Sequence, residues 1–216
     1  SDVGLSEINL SNVSDPLAPF AVVRGPEIVH ETEPYPDTLL VTDIRRRRIA
    51  IFDEITGRYL REWIDDVDTG ALVGPEGGVW LVAAGRAGVF EVAASGTRTL
   101  RIAPDIVRGP NRAWGLLKRP ATNNRPADIL VSDPTLDTVF RFSGDGARLG
   151  VFCKVDAFRF PQQLAGRRNG NVLLADPLAG RVFEFGEGGG LLGENEYPQP
   201  RGGGEQEDEK LQNAPG

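Results

Sequence analysis

The sequence contains a single cysteine, a single histidine and no methionine. With Cys153 alone, no internal disulfide can form, and its setting in the apolar run VFCKV marks it as a buried, inert thiol. His30 alone excludes a zinc centre built from several imidazoles. A Cys153–His30 nucleophile and base pair has no motif around either residue and spans two separate repeats. No stretch approaches the ~20 apolar residues that cross a bilayer as a helix, and none has the pattern of a long amphipathic helix. Basic charge is also short: 24 Lys and Arg against 31 Asp and Glu leave a net charge of −7. Phosphate backbones are repelled at that balance, so a general nucleic-acid partner is not expected. Ser1 follows neither a Met nor an apolar leader. Initiator removal and cleavage of an export signal both fit, so a periplasmic or extracellular location is expected and a cytoplasmic one stays open.

What is abundant is glycine, 27 residues, and proline, 16, lying between short apolar runs. That distribution suits an all-β chain with many tight turns. One phrase recurs: an apolar run ending in Asp, a polar loop, an alternating run with an aromatic, then a turn. It reads LLVTD-IRRR-RIAIFD from Leu39, ILVSD-PTLD-TVFRFS from Ile129 and VLLAD-PLAG-RVFEFG from Val172. A degraded copy, VWLVAA-GRA-GVFEVA, starts at Val79. With Asp43, Ala84, Asp133 and Asp176 as equivalents, the spacings are 41, 49 and 43 residues. Several short strands at a period in the low forties are the signature of β-propeller blades.

Each copy divides into four strands, a to d. Strand a is EIVHE, ALVGP, WGLLKRP or QQLAG; b and c are the two runs of the phrase. Strand d follows a Gly turn and reads RYLREWI, TRTLRI, ARLGVF or LLGE. Four clear blades are expected at about 25–66, 69–103, 110–155 and 158–194. Residues 1–24 form an N-terminal extension whose runs SEINL and PFAVV close the fourth blade or form a partial fifth; alternatively a second chain completes the ring. Residues 195–216 form an acidic, Gly/Pro-rich tail. Phe52, Val92, Phe142 and Phe185 fall at equivalent places and read as packing residues between blades.

The phrase, clearest in FPQQLAGRRNGNVLLADPLAGRVFEFGEGGGLLGE (160–194), resembles the NHL-repeat family and its relatives among six-bladed propellers. The blade around Asp43 and Arg48 matches it well, whereas the third has Thr138 at the usual Arg position and the second loses both polar residues. The resemblance implies propeller architecture and leaves activity open, since the family spans enzymes, RNA binders and protein-binding scaffolds. Lactonase-type relatives hold calcium in the central channel, and relatives among the lyases need several histidines.

Asp43, Asp133 and Asp176 therefore have two readings: a convergent oxygen site for Ca2+, or hydrogen-bond acceptors that cap each b–c turn. Asn123, Asn124 and Asn171 lie in a–b loops on the opposite face and do not complete such a site. Arg45, Arg46 and Arg47 fill the first b–c loop and suit a carboxylate or phosphate partner. Arg86 and Arg108 share that face with Asp65, Asp66, Asp68, Asp105 and Asp137, which offset the field. Glu205, Glu207, Asp208 and Glu209 make the tail a docking arm for a basic surface or an inert solvated end. The reading that follows is a non-enzymatic interaction subunit of a larger protein assembly, with no cofactor. The alternative is a divergent lactonase-like or lyase-like enzyme with a divalent cation in its channel.

Overall fold

Alternation of large apolar with charged residues, punctuated by Gly turns, leaves this chain one economical structure: short antiparallel strands joined by hairpins. The computed structural model describes residues 19–24, 29–30, 33–34, 38–43, 45–65, 72–76, 79–93, 95–104 and 112–196. Its described elements are all strands, grouped in four four-stranded sheets and one small hairpin.

The first sheet comprises β1 (Pro19–Arg24), β4 (Thr38–Asp43), β5 (Arg48–Asp53) and β6 (Tyr59–Ile64), with the hairpin β2 (Val29–His30) and β3 (Glu33–Pro34) inserted after β1. The second runs β7 (Leu72–Glu76), β8 (Val79–Ala83), β9 (Val89–Ala93) and β10 (Arg98–Ile102). The third is β11 (Leu116–Arg119), β12 (Asp128–Asp133), β13 (Thr138–Ser143) and β14 (Arg148–Cys153). The fourth is β15 (Leu164–Gly166), β16 (Val172–Asp176), β17 (Arg181–Phe185) and β18 (Leu191–Glu196). Strands b, c and d lie where the repeat placed them.

The first sheet corrects one expectation. Its innermost strand is PFAVV, paired with β4 as Val22↔Val41 and Arg24↔Leu39. Within EIVHE, Val29–His30 instead forms one arm of the β2–β3 hairpin. Prolines at 34 and 36 remove the ladder donors that a longer strand would need there. Nor does the fourth sheet need completing from the N-terminus, because β18 pairs along β17 from Phe185↔Leu191 to Arg181↔Glu196. SEINL and the tail from residue 197 onward lie outside the described residues.

The sheets stack face to face around their innermost strands, which neighbour one another in the order β1, β7, β11, β15. Among the described residues the series is open, since β15 makes no comparable contact with β1. Three cores fill the gaps between successive sheets. Leu40, Ile49 and Ile51 of the first meet Val82 and Val92 of the second. Leu81, Ala83 and Val89 of the second meet Ile129, Val131, Phe140 and Phe142 of the third. Leu130, Val139 and Phe152 of the third meet Val172, Leu174, Phe183 and Phe185 of the fourth. Phe158, a loop residue, sits edge-on to Phe183 and Phe185 with centroids 5.1 and 6.0 Å away. Phe52, Val92, Phe142 and Phe185 are all buried, as their equivalence predicts.

Two turn positions recur. The fourth residue after the Asp position is left-handed in every sheet: Arg47 (φ 54°), Gly88 (96°), Asp137 (49°) and Gly180 (65°). The c–d turn carries a glycine that touches the outer strand of the preceding sheet. At Gly189 (φ 92°) a Cβ would lie 1.9 Å from the Phe152 carbonyl oxygen, so sterics alone demand glycine there.

Candidate functional site

Strand b ends and strand c begins on one face of the stack, and that face holds the charged residues singled out by the sequence. Asp43, Asp133 and Asp176 are fully buried beneath it. Their oxygens are already engaged. One oxygen of Asp133 accepts the Thr135 amide (2.8 Å) and hydroxyl (2.6 Å), the other the Arg112 amide at 2.8 Å. Asp176 accepts the Ala179 amide at 2.9 Å and the Arg159 and Phe160 amides at 2.8 and 3.0 Å. Asp43 accepts the Arg46 amide at 3.2 Å and Arg48 Nε at 3.3 Å. Asp133 and Asp176 thus pin their own turn and the loop entering the same sheet, which is the capping role.

The second sheet shows how the chain manages without the carboxylate. Ala84 stands at the Asp position, and Gly85 instead exchanges two backbone hydrogen bonds with Ala113 at 3.1 and 3.0 Å. This backbone pair ties the second sheet to the loop entering the third, a different connection from the one the carboxylates make within their own sheets.

Arg45 and Arg47 are exposed at the tip of the first b–c turn, and Arg46 is half-buried. Arg48 belongs to the sheet. It is buried, ion-paired with Asp43 and Glu62, and lies 5.9 Å from the Tyr59 ring centroid. Burial alone would lower its pKa, but hydrogen bonds to Glu62 and Asp43 outweigh that and raise it. Arg86 is exposed on the second turn. Asp65 lies 3.9 Å from Arg98, and Asp137 occupies the left-handed turn position. Asp66, Asp68, Asp105, Arg108 and the acidic quartet Glu205, Glu207, Asp208 and Glu209 lie outside the described residues, as does the His30 side chain.

The same face holds a feature the repeat gave no sign of. Arg112 stacks over Trp114 at 4.5 Å, and Phe160 meets that indole edge-on at 6.3 Å. At the opposite face, Asp128 is fully buried and accepts Arg119 through both oxygens at 2.8 and 2.6 Å. Arg125 (2.8 Å) and Arg141 (2.6 Å) complete the cluster, and Arg119 also donates to the Glu187 carbonyl at 2.9 Å. Burial pushes the Asp128 pKa up, but the hydrogen bonds and charges of Arg119, Arg141 and Arg125 win and hold it below the usual carboxylate range. A sequence signal exists in hindsight: Arg119 and Asp128 are register partners at the closing end of the β11–β12 hairpin. The cluster ties the third sheet to the c–d turn of the fourth.

Cys153 is buried between the third and fourth sheets, and burial raises its thiol to about 12. No group of metal-ligating side chains converges among the described residues. None of the described residues forms a helix long and apolar enough to cross a membrane.

Comparison with solved structures agrees with this geometry. Virginiamycin B lyase from Staphylococcus aureus superposes with a TM-score of 0.54 at 14% identity, covering 84% of this chain and 61% of that one. A candidate gluconolactonase superposes at 0.58 with 19% identity, covering 75% of this chain and 61% of that one. A protein of unknown function from Bacteroides caccae superposes at 0.57 with 18% identity, covering 76% and 59% of the two chains. The chain is a β-propeller. Each of its sheets is a blade, and its relatives in structure are six-bladed. The chain spans about three-fifths of those neighbours' length. No family model matches the chain, and no curated protein matches its sequence.

Proposed function

We propose that this propeller is a non-enzymatic interaction subunit, exported from the cytoplasm and docked on a larger protein assembly. The observation that carries the reading is the engagement of Asp43, Asp133 and Asp176. The three carboxylates the repeat offers for chemistry are buried, with their oxygens turned to turn amides and Arg48. On that face the first b–c turn exposes Arg45 and Arg47, whose guanidiniums suit carboxylate or phosphate groups. Arg47 holds a left-handed conformation that glycine adopts in two other blades. A long side chain kept at a strained position supports a role for it in contact. The acidic tail after residue 196 is the second proposed contact, toward a basic surface.

The neighbours support a second reading equally well, because a lyase and a candidate gluconolactonase are among them. In that reading the chain is a divergent enzyme with a divalent cation, such as Ca2+, in the central channel. Calcium titration by calorimetry, with a lactone turnover assay, separates the two. The interaction reading expects no heat, no thermal shift and no turnover; saturable calcium binding with metal-dependent turnover would sink it. Joint substitution of Arg45, Arg46 and Arg47 by Ala should leave the melting temperature nearly unchanged while weakening association with the native assembly.

A further inference from the structure

Arginines withdrawn from solvent in this protein sit opposite carboxylates. Arg48 pairs with Asp43 and Glu62, and Arg119 with Asp128. The half-buried Arg101, Arg141 and Arg181 pair with Glu91, Asp128 and Glu194. Arg112 differs. It is half-buried, yet among the described residues its side chain makes no ion pair or hydrogen bond, and its Nε is enclosed without a partner. What holds the guanidinium is the Trp114 ring, whose centroid lies 4.5 Å away. Asp133 is near but anchors the main chain instead. Its Oδ2 accepts the Arg112 amide at 2.8 Å, and its Oδ1 is taken by the Thr135 amide and hydroxyl. The counterpart loop of the fourth blade shows the contrast. Asp176 anchors the Arg159 and Phe160 amides, and Arg159 Nη1 donates to the Asp156 and Phe158 carbonyls, each at 2.8 Å. A cation partly removed from water without a matching anion is costly, so Arg112 calls for an explanation.

We propose that Arg112, seated on Trp114, is a recognition site for the carboxylate group of a ligand. A guanidinium fork offers parallel N–H donors that match the two oxygens of a carboxylate. Stacking on the indole fixes the plane of the fork, and the bond to Asp133 fixes its main chain, so little freedom is lost on binding. One guanidinium carries one charge, which a monoanion balances. Phe160, half-buried and edge-on to the indole at 6.3 Å, sets an apolar wall beside it. That wall suits a carboxylate borne on an aromatic or other apolar group. Small organic acids have this chemistry, and so does an acidic side chain next to an apolar one in a partner protein. The inference goes beyond the proposed function, since neither the Arg45–Arg47 turn nor a channel cation takes part in it.

Calorimetry on the full chain tests it, with benzoate, its neutral isostere benzamide and the capped dipeptide acetyl-Phe-Glu-amide as probes. At least one of the two carboxylates should bind about tenfold or more tighter than benzamide, and Arg112→Gln should abolish that preference. The tighter of the two names the source: benzoate a small acid, the dipeptide an acidic segment of a partner protein. No heat from either carboxylate at millimolar concentration, or equal affinity for benzamide, overturns the proposal. So does binding that survives Arg112→Gln; its loss on joint substitution of Arg45, Arg46 and Arg47 by Ala would place the carboxylate on that turn instead. The melting temperature supplies an independent readout. Arg112→Gln should leave it unchanged or raise it, because an unmatched cation is removed. Arg119→Gln should lower it, because Asp128 loses its ion-pair partner. An equal fall in both variants, or failure of Arg112→Gln to fold, would show the Arg112 charge already matched within the chain and overturn the proposal.

Discussion

The third and fourth blades present nearly the same residues toward the open end of the stack, yet only the third has them buried. Leu130 and Val139 are inaccessible, while Leu173 and Val182 meet solvent in part. Hydrogen bonding within the two sheets is alike, with β12–β13 and β16–β17 paired residue for residue. Burial therefore comes from neighbouring blades rather than from a blade's own strands. Stability in such a stack is close to a sum of blade and interface contributions, and a terminal blade contributes only one interface.

Truncation of each kind of position should make that contrast quantitative. Phe185→Ala, on the covered face of the fourth blade, should cost about 3–5 kcal/mol, and Leu130→Ala about 2–5 kcal/mol. Leu173→Ala, at the half-buried equivalent, should cost less, about 1–2 kcal/mol. Denaturant melts of the three variants check the order; equal losses at Leu130 and Leu173 would show that the two faces are not different after all.

Close approach between blades sharpens the comparison further. A Cβ at Gly115 would lie 1.8 Å from the Gln162 carbonyl oxygen and 2.6 Å from Ser132 Oγ. Gly115→Ala should accordingly destabilise by about 1–3 kcal/mol, through displacement of the fourth blade from the third. No such cost is expected at Gly180, where a Cβ meets nothing and only the left-handed backbone (φ 65°) resists substitution. Comparing the two alanine variants by thermal melting separates contact between blades from turn strain.

The reverse change at the matching turn of the first blade should be a gain. Arg47→Gly removes a left-handed strain of about 1 kcal/mol and should raise stability by a comparable amount or slightly less. Under the interaction reading the same variant should weaken assembly. A variant more stable and equally well assembled would remove Arg47 from the contact.

The smallest expected effect is on pH dependence. Because the Asp128 pKa is held below its unfolded value, its contribution to stability is complete above about pH 4. The contribution is lost as the pH falls through the depressed folded value. Asp128→Asn should therefore flatten part of the acid limb of the stability curve, besides lowering the plateau by leaving Arg119 without its ion pair. An unchanged acid limb in urea melts below pH 4 would mean that the cluster does not couple to folding.

Much of the architecture was legible because its signals are local. Period-two alternation in Arg181–Phe185 and Thr138–Ser143, and glycines at the c–d turns, fix strand and hairpin without any distant contact. The capping alternative for Asp133 was legible for the same reason, since its acceptor geometry is partly that of its own turn. The innermost strand of the first blade was not, because PFAVV and EIVHE are both plausible strands and only pairing with Leu39–Val41 chooses between them. Phe158 and the Arg119–Asp128 cluster were equally hidden, as they act between elements far apart in sequence.

The sequence by itself determined the blade. Alternation, turn glycines and the repeated Asp are short-range requirements that each copy satisfies alone. Only the tertiary structure decided what each blade faces. Leu130 and Leu173 occupy one position of one pattern, and nothing near either residue distinguishes them. The difference is the next blade, which covers the first and leaves the second open, because burial is a property of neighbours in space and not along the chain.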